Sequence, residues 1–375
     1  MIVKKVLLIA TVQSHICQFH RPLAAMLHEH GCEVHVAARN NLAEKNGLKL
    51  DFVEQIFDVP FQRSPFSPKN LKAYRQLRKI IDEGGYDVIH CNTPVGGVMG
   101  RLAARKARKR GTKVFYTAHG FHFYKGAPKK NWLIWYPVEK FMCRYTDKLI
   151  TITREDYDFA SAKFPTQVER IHGVGANSAK YQKRSETECK ALRQELGFSV
   201  QDRLLLCTGE LLPNKNQITA IRAMQILVEK LPAAKLLLAG NGPTLPELQA
   251  EVDRLELQNR VEFLGYRTDL ERYVNIADVI VSCSYREGLP MNIVEGMLLG
   301  KPVVASRNRG HRELIVPGVT GFMVLPTDTC AFAEKIALLL NDAALAADMG
   351  QAGYEKAQLY ADANVHRELQ RVYEL

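Results

Sequence analysis

The segment Glu287-Gly-Leu-Pro-Met-Asn-Ile-Val-Glu295 sets two carboxylates eight residues apart around a proline. Proline pre-sets φ for the first turn of a helix, so a helix is expected to start near Pro290. The backbone N–H groups of Gly288, Leu289, Met291 and Asn292 then lack intrahelical partners. They gather into an electropositive cup suited to an anion such as a diphosphate. Glu287 stands at the rim of the cup, and Glu295 sits more than a turn into the helix. An ionised carboxylate accepts two O–H donors at once, so each suits the adjacent hydroxyls of a sugar or ribose. Hydroxyls, phosphates, hydroxyls is the order of groups along a nucleotide-sugar. The same residues also read as an ordinary helix with an acidic approach and one solvated Glu.

Other residues offer matching chemistry. Lys215 lies between a β-rich run and a helical one, in Gly209-Glu-Leu-Leu-Pro-Asn-Lys215-Asn-Gln. An ammonium there pairs with a diphosphate, which gains negative charge as its bond to a sugar breaks. The contact strengthens in the transition state and so accelerates the reaction. A surface lysine in a loop looks the same in sequence. His119 closes a strand, where an imidazole can donate to a sugar hydroxyl or steady charge at a reacting centre. A histidine at a strand end is also a common structural hydrogen-bonder. Asp156-Tyr-Asp158 reads as a D-x-D metal–nucleotide signature, but it falls in the first turn of a helix, where the dipole favours acidic residues. His15, His20, His28, His30 and His35 span a loop, a helix and a strand without ligand spacing, so no essential metal is expected.

These groups need rigid supports, and the chain supplies an alternation. Strands are expected at 4–10, 33–38, 87–91, 113–118 and 147–153, with helices at 19–30, 71–82 and 96–110. Near 171–177 the pattern breaks into Gly and small polar residues, which reads as a linker. It restarts with strands at 203–208, 235–239, 261–264, 278–282, 302–306 and 321–324, and helices at 217–230, 245–255 and 289–299. Strands bracketed by helices imply right-handed crossovers and parallel sheets covered on both faces. The expected fold is α/β, with two doubly wound Rossmann-like domains facing across a cleft. The ligand would lie outside the C-terminal strand ends. The domains are placed at 1–173 and 174–355, and residues 356–375 form a helix crossing back to the first.

A chain of 375 residues suits two cores better than one. The eight Cys include no C-x-x-C pair and mostly sit in apolar runs, which favours free thiols in a reducing compartment. The apolar run 6–10 is short and leads into Thr11, Gln13 and Ser14, so it reads as a strand rather than a signal peptide. No stretch reaches the ~20 apolar residues of a membrane-spanning helix. The net charge of +11 is uneven: residues 1–170 hold 28 Lys and Arg against 15 Asp and Glu, and the rest is near neutral. The densest cluster is Arg101, Arg105, Lys106, Arg108, Lys109, Arg110 and Lys113. It suits an anionic membrane surface, worth about 1 kcal/mol per basic residue near the lipid. Nucleic acid and a merely solvated helix face are the other readings. Both tryptophans fall in 121–137, where Phe121, His122, Phe123, Tyr124, Lys125, Trp132 and Trp135 interleave aromatic and basic side chains. That mixture suits a headgroup-level surface or a sugar platform, and equally a helix packing its rings into the core.

The second half resembles a known family. Its motifs are Gly209-Glu-Leu-Leu-Pro-Asn-Lys215, Ala239-Gly-Asn-Gly-Pro243, Phe263-Leu-Gly-Tyr-Arg267-x-Asp269, Ser284-x-x-Glu287-Gly-Leu-Pro-x4-Glu295 and Gly300-Lys-Pro-Val-Val-Ala305. In this order they are similar to the family-four retaining glycosyltransferases of the GT-B fold, over most of 203–325. In the first half, Thr117-Ala-His119-Gly-Phe-His-Phe-Tyr-Lys-Gly-Ala-Pro128, Tyr136-Pro-x-Glu139 and Tyr145-Thr-Asp147 resemble the bacterial branch that builds surface polysaccharides on a lipid carrier. The resemblance implies that Glu295 holds the ribose and that Glu287 and His119 lie near the transferred sugar. It implies that Gly288, Leu289, Pro290 and Met291 line the sugar and diphosphate with Asn292, Gly209 and Asn216. Tyr266 and Arg267 would meet the nucleobase, and Lys215 the diphosphate. The family usually carries Arg where this chain has Glu210, which puts a two-cation clamp in doubt.

The implied activity is retaining transfer of a hexose or N-acetylhexosamine, without a cofactor, from a UDP-sugar to a polyprenyl-diphosphate-linked glycan. Same-face transfer is expected, since no carboxylate of the first half stands out as a nucleophile. Phe121, His122, Trp132, Trp135, Arg105 and Arg108 are the expected acceptor and membrane contacts, at the cytoplasmic face of the membrane. A nucleotide-sugar epimerase of similar shape and a basic nucleic-acid-binding module are the rival readings.

Overall fold

Leu204, Leu205, Leu206 and Cys207 are consecutive in one strand, and none is more than 5% exposed. Neighbouring strand residues point to opposite faces, so both faces of this sheet must be covered. Leu204 and Leu206 pack into one apolar cluster, and Leu205 and Cys207 into another. In the computed structural model, which describes residues 4–44, 47–62, 64 and 67–375, this pattern recurs in two units. The first is the chain up to Gly175 with Asp362–Leu375, and the second is Ala176–Ala361.

The first unit holds a seven-stranded parallel sheet. Its strands are β1 (Lys5–Val12), β2 (Glu33–Arg39), β3 (Gln55–Asp58), β4 (Val88–Asn92), β5 (Lys113–Ala118), β6 (Lys148–Thr151) and β7 (Gln167–Arg170). The spatial order is β3-β2-β1-β4-β5-β6-β7, with Lys5 beside Glu33 and Val6 beside Val88. The second unit holds six parallel strands: β8 (Arg203–Thr208), β9 (Ala234–Ala239), β10 (Val261–Gly265), β11 (Val279–Ser282), β12 (Val303–Ser306) and β13 (Phe322–Val324). Their order is β10-β9-β8-β11-β12-β13. Both units are thus doubly wound α/β folds. The order reverses between β1 and β4 in one sheet and between β8 and β11 in the other. Such reversal points leave a crevice beyond the strand C-termini, where ligands of open α/β sheets bind.

Several elements differ from the sequence expectation. The helix expected at 19–30 is two helices, Gln13–Phe19 and Arg21–Glu29, broken at His20. Pro22 has no N–H to give to the preceding turn, so one continuous helix through it would lose a bond and clash. The helix expected at 96–110 is likewise Pro94–Ala103 followed by Arg105–Lys109. The C-terminal helix begins later than 356: Ala343–Ala357 runs on into a 3-10 turn, and the last helix is Asp362–Tyr373. That helix packs on the first unit. Tyr373 Oη lies 2.6 Å from His90 Nδ1, and Lys148 Nζ donates to the Val372 carbonyl at 2.6 Å. No helix among the described residues is long and apolar enough to cross a membrane.

Candidate active site

The loops after β8, β11 and β12 converge in the second unit. Lys215 ends a 3-10 turn, Pro213–Lys215, that follows β8. Its ammonium donates to Glu287 Oε1 at 2.7 Å, in a pair only partly open to solvent. Asn214 ties the two loops together, accepting from the Tyr285 N–H at 2.8 Å and donating its side-chain amide to the Arg286 carbonyl at 2.9 Å. Behind them Gly240, at φ +149°, sits where a Cβ would be 1.9 Å from the Gly209 carbonyl oxygen. Only glycine allows that approach.

Asn216, expected to touch the donor, does other work. It is 6% exposed, adopts φ 55°, and gives its amide to the Cys283 and Pro326 carbonyls at 3.1 and 2.8 Å. It fixes the loop that carries Lys215. The helix after Glu287 is Met291–Leu298, with Pro290 as its N-cap rather than its first residue. The Pro290 carbonyl accepts from Ile293 and Val294 at 3.1 and 3.3 Å. The amides of Met291 and Asn292 precede any intrahelical bond, as at any helix start. Asn292 also bonds to the Thr208 carbonyl at 3.0 Å, linking this helix to the end of β8.

Glu295 is partly buried on that helix, and burial raises its carboxyl to about 7. A hydrogen bond from Tyr181 and the attraction of Lys180 pull the other way. Gly310, after β12, packs so tightly that a Cβ would be 2.6 Å from both Glu287 Cβ and the Gly288 carbonyl oxygen. His311 beside it is fully buried and donates Nδ1–H to the Ser306 carbonyl at 2.5 Å, with Nε2 3.1 Å from Ser282 Oγ. Burial pushes its pKa down to about 4, so it is neutral at pH 7. Tyr266, at the end of β10, is 44% exposed. Arg267 forks onto Asp269 at 2.8 and 2.7 Å and lies over the Tyr273 ring, so its guanidinium is already engaged. Sequence reasoning missed Tyr181, Lys180, Asn308 and His311. The first two lie in a linker-like stretch with no periodicity. Asn308 announces itself only as a helix cap, accepting the His311 N–H at 3.0 Å.

In the first unit the corresponding crevice collects histidines. His119 directly follows β5, His15 lies in the helix Gln13–Phe19 after β1, and His20 lies between the two short helices. His15 Nε2 is 3.3 Å from His119 Nε2, and His119 Nε2 is 3.2 Å from Asn92 Oδ1 at the end of β4. The expectation that His15 and His20 share no ligand geometry is therefore corrected: with His119 their ring nitrogens fall within 4.8 Å of one another. His28, His30 and His35 lie elsewhere. Sequence spacing hid the cluster because its third member is about a hundred residues away. Burial lowers His119 to about 4, and His15 and His20 well below the usual imidazole value. Asp156 is 2% exposed and receives the Phe121 N–H at 3.3 Å, while Asp158 pairs with Arg154, so the D-x-D run holds local structure.

The aromatic segment packs inward more than expected. Phe121 is 5% exposed and stacks on Phe123 at 4.8 Å, which removes it as a surface contact. Trp132 leans on Phe123 and Phe159, and Trp135 stacks on His122 at 4.8 Å. Leu133, Ile134 and Phe141 of helix Lys129–Met142 are the exposed apolar groups, at 78%, 46% and 49%. Of the basic cluster, Arg101 is wholly buried, paired with Glu139 at 2.9 Å and lying over the Tyr116 ring. Arg108 holds Asp147 with three contacts of 2.8–3.1 Å. Arg105, Lys106 and Lys109 stay exposed and, with Arg78 and Arg144, border a cavity of about 370 Å³.

Residues 5–153 match the family model described as glycosyl transferase 4-like, and residues 189–356 match glycosyl transferases group 1. The chain is 44% identical over 372 residues to the putative glycosyltransferase EpsD of Bacillus subtilis, covering 99% of this chain and 96% of the relative. It is 26% identical over 315 residues to the UDP-Gal:alpha-D-GlcNAc-diphosphoundecaprenol alpha-1,3-galactosyltransferase of Escherichia coli, covering 82% and 81% of the two. Among solved structures, Anabaena HepE in complex with UDP and glucose superposes with a TM-score of 0.80 at 23% identity, covering 99% of both chains.

Proposed function

This chain belongs to the group 1 glycosyl transferases of bacterial glycan biosynthesis, with their GT-B fold, and we propose that it is a retaining enzyme using a UDP-sugar. The sugar moved is a hexose or N-acetylhexosamine, and the acceptor is a glycan on a polyprenyl diphosphate. The observation that carries the reading is the placement of Lys215, Glu287 and Glu295. They sit on the loops and helix after β8 and β11, where the second sheet reverses its order. The UDP bound to the Anabaena protein and the lipid-diphosphate acceptor in the name of the Escherichia coli relative support the choice of substrates.

In this scheme the second unit holds the donor. Glu295 accepts the ribose hydroxyls, the amides of Gly288, Met291 and Asn292 meet the diphosphate, and Lys215 follows its growing charge. Glu287 takes hydroxyls of the sugar once Lys215 turns to phosphate, and His119 is assigned to the same sugar. The acceptor O–H attacks the anomeric carbon on the face the diphosphate leaves. Its proton passes to the departing phosphate oxygen as the C–O bond breaks, and no metal is required. The exposed basic and apolar groups of the first unit, Arg105, Lys106, Lys109, Leu133 and Phe141, rest on an anionic membrane surface.

The test is transfer from a panel of UDP-sugars to a lipid-linked glycan, with Lys215→Ala and Glu295→Ala compared with wild type. Loss of Lys215 is expected to lower turnover by about 10²–10³ with the fold intact by circular dichroism. Wild-type turnover in both variants would remove the proposed donor site. Sugar interconversion with donor alone would point to an epimerase instead.

A further inference from the structure

The histidine cluster of the first unit has a geometry that hydrogen bonding does not use up. His20 is 4% exposed, and its Nε2 finds no hydrogen-bond partner among the described residues. A buried imidazole nitrogen left so is costly, and it calls for an occupant. His15 Nε2 and His119 Nε2 approach to 3.3 Å. Two nitrogens bound to one tetrahedral zinc at 2.0–2.1 Å stand about 3.3–3.4 Å apart. The His20 ring centroid is 5.3 Å from that of His15 and 5.5 Å from that of His119, close enough for a modest rotation of the side chains to complete the triangle.

We propose that His15, His20 and His119 form a site for a divalent transition-metal ion of the zinc type, with one coordination position left open. Three neutral imidazoles suit Zn²⁺, Co²⁺, Ni²⁺ or Cu²⁺ and discriminate against Mg²⁺ and Ca²⁺, which want oxygen ligands. A neutral imidazole can carry its proton on the other ring nitrogen, so all three Nε2 lone pairs are available to the ion. Asn92 Oδ1, 3.2 Å from His119 Nε2, stands beside the open position. His90 supports the site from behind: Thr117 Oγ1 and Tyr373 Oη engage its two nitrogens at 2.7 and 2.6 Å, so it is not a fourth ligand. The ion takes no part in the transfer chemistry. Its occupant withdraws His119 from the sugar, so filling it inhibits.

The experiment is titration of Co²⁺ into the untagged, chelator-treated full-length protein, followed by visible ligand-field spectroscopy and competition with Zn²⁺. One equivalent is expected to give the intense bands of tetrahedral Co²⁺, which Zn²⁺ bleaches and Mg²⁺ does not. His15→Ala and His20→Ala should each weaken Co²⁺ binding by ~10-fold or more, given that even second-shell partners are worth 10–100-fold. His28→Ala, at a histidine outside the cluster, should leave it unchanged. Circular dichroism and UDP-sugar binding check that each variant is folded. Absence of the bands, or equal Co²⁺ affinity in wild type and both cluster variants, overturns the site. A site that fills as described while turnover stays intact upholds the metal assignment and removes the role proposed above for His119.

Discussion

Glu295 gives the proposed donor site a pH signature that can be worked out in advance. Burial raises its carboxyl to about 7, against the Tyr181 hydrogen bond and the pull of Lys180. Ribose hydroxyls are donors, so the donor is held best by the ionised form, and binding strengthens as pH rises. If only that form binds, the apparent Kd is multiplied by about 11 at pH 6 and about 1.1 at pH 8. The UDP-sugar Kd should therefore fall about tenfold from pH 6 to pH 8, worth ~1.4 kcal/mol. A UDP-sugar is the right probe because its diphosphate carries no proton that titrates in this window. His311, the one histidine in the sequence of the second unit, is held at about 4 and stays neutral throughout. Glu295→Gln keeps the shape and abolishes the slope. Losing charge-assisted hydrogen bonds of ~1.5–3 kcal/mol, it should bind about 10–150-fold more weakly at pH 8, with the gap tenfold narrower at pH 6. Calorimetry across the range decides the matter. A flat wild-type profile, or a slope that survives in Glu295→Gln, refutes the assignment of the ribose to this carboxylate.

Further outcomes follow from the same contacts. Glu287→Gln frees Lys215 from a pair worth ~0.2–1 kcal/mol, so it should bind UDP up to about fivefold more tightly while turning over more slowly; weaker UDP binding would show that Glu287 orients the lysine instead of competing for it. Gly310→Ala pushes a methyl against Glu287 and Gly288 and should cost about 1–3 kcal/mol in urea denaturation, with weakened donor affinity. The double variant Lys106→Glu, Lys109→Glu should lower affinity for anionic vesicles by ~30-fold or more at about 1 kcal/mol per lost lysine, and leave neutral vesicles alone; unchanged sedimentation would take the membrane surface away from this helix.

The readable part of this chain is the part set by local physics. Strands β5 and β8 run where apolar continuity and turn residues place them, at Lys113–Ala118 and Arg203–Thr208. Edge strands β3 and β7, Gln55–Asp58 and Gln167–Arg170, escape notice because they are short and carry polar, partly exposed residues. Their pairing comes from the neighbouring strand, not from their own pattern. Glu287 and Glu295, the carboxylates proposed to hold the donor, stood out in the sequence because both belong to one turn and helix. Tyr181, which bonds to Glu295 from more than a hundred residues away, carries no local mark of that role. Arg267 and Arg108 show the converse. Their types suit a ligand, yet each has a carboxylate within reach, Asp269 and Asp147, and folding gives it that partner first.

The same competition shapes the site itself. Where the family usually presents an arginine, this chain has the exposed Glu210, and Lys215 is already neutralised by Glu287. Under the proposed function a diphosphate takes the ammonium from the carboxylate, exchanging one ion pair for another. The exchange costs little net charge separation, and it releases Glu287 to accept hydroxyls at the moment the sugar arrives. A second cation fixed beside the phosphate would bind the ground state more firmly and leave less to gain as the bond breaks. In the proposed scheme phosphate capture and sugar reading are coupled through one 2.7 Å contact, and the Lys215–Glu287 pair would be the point at which donor binding is converted into readiness for transfer.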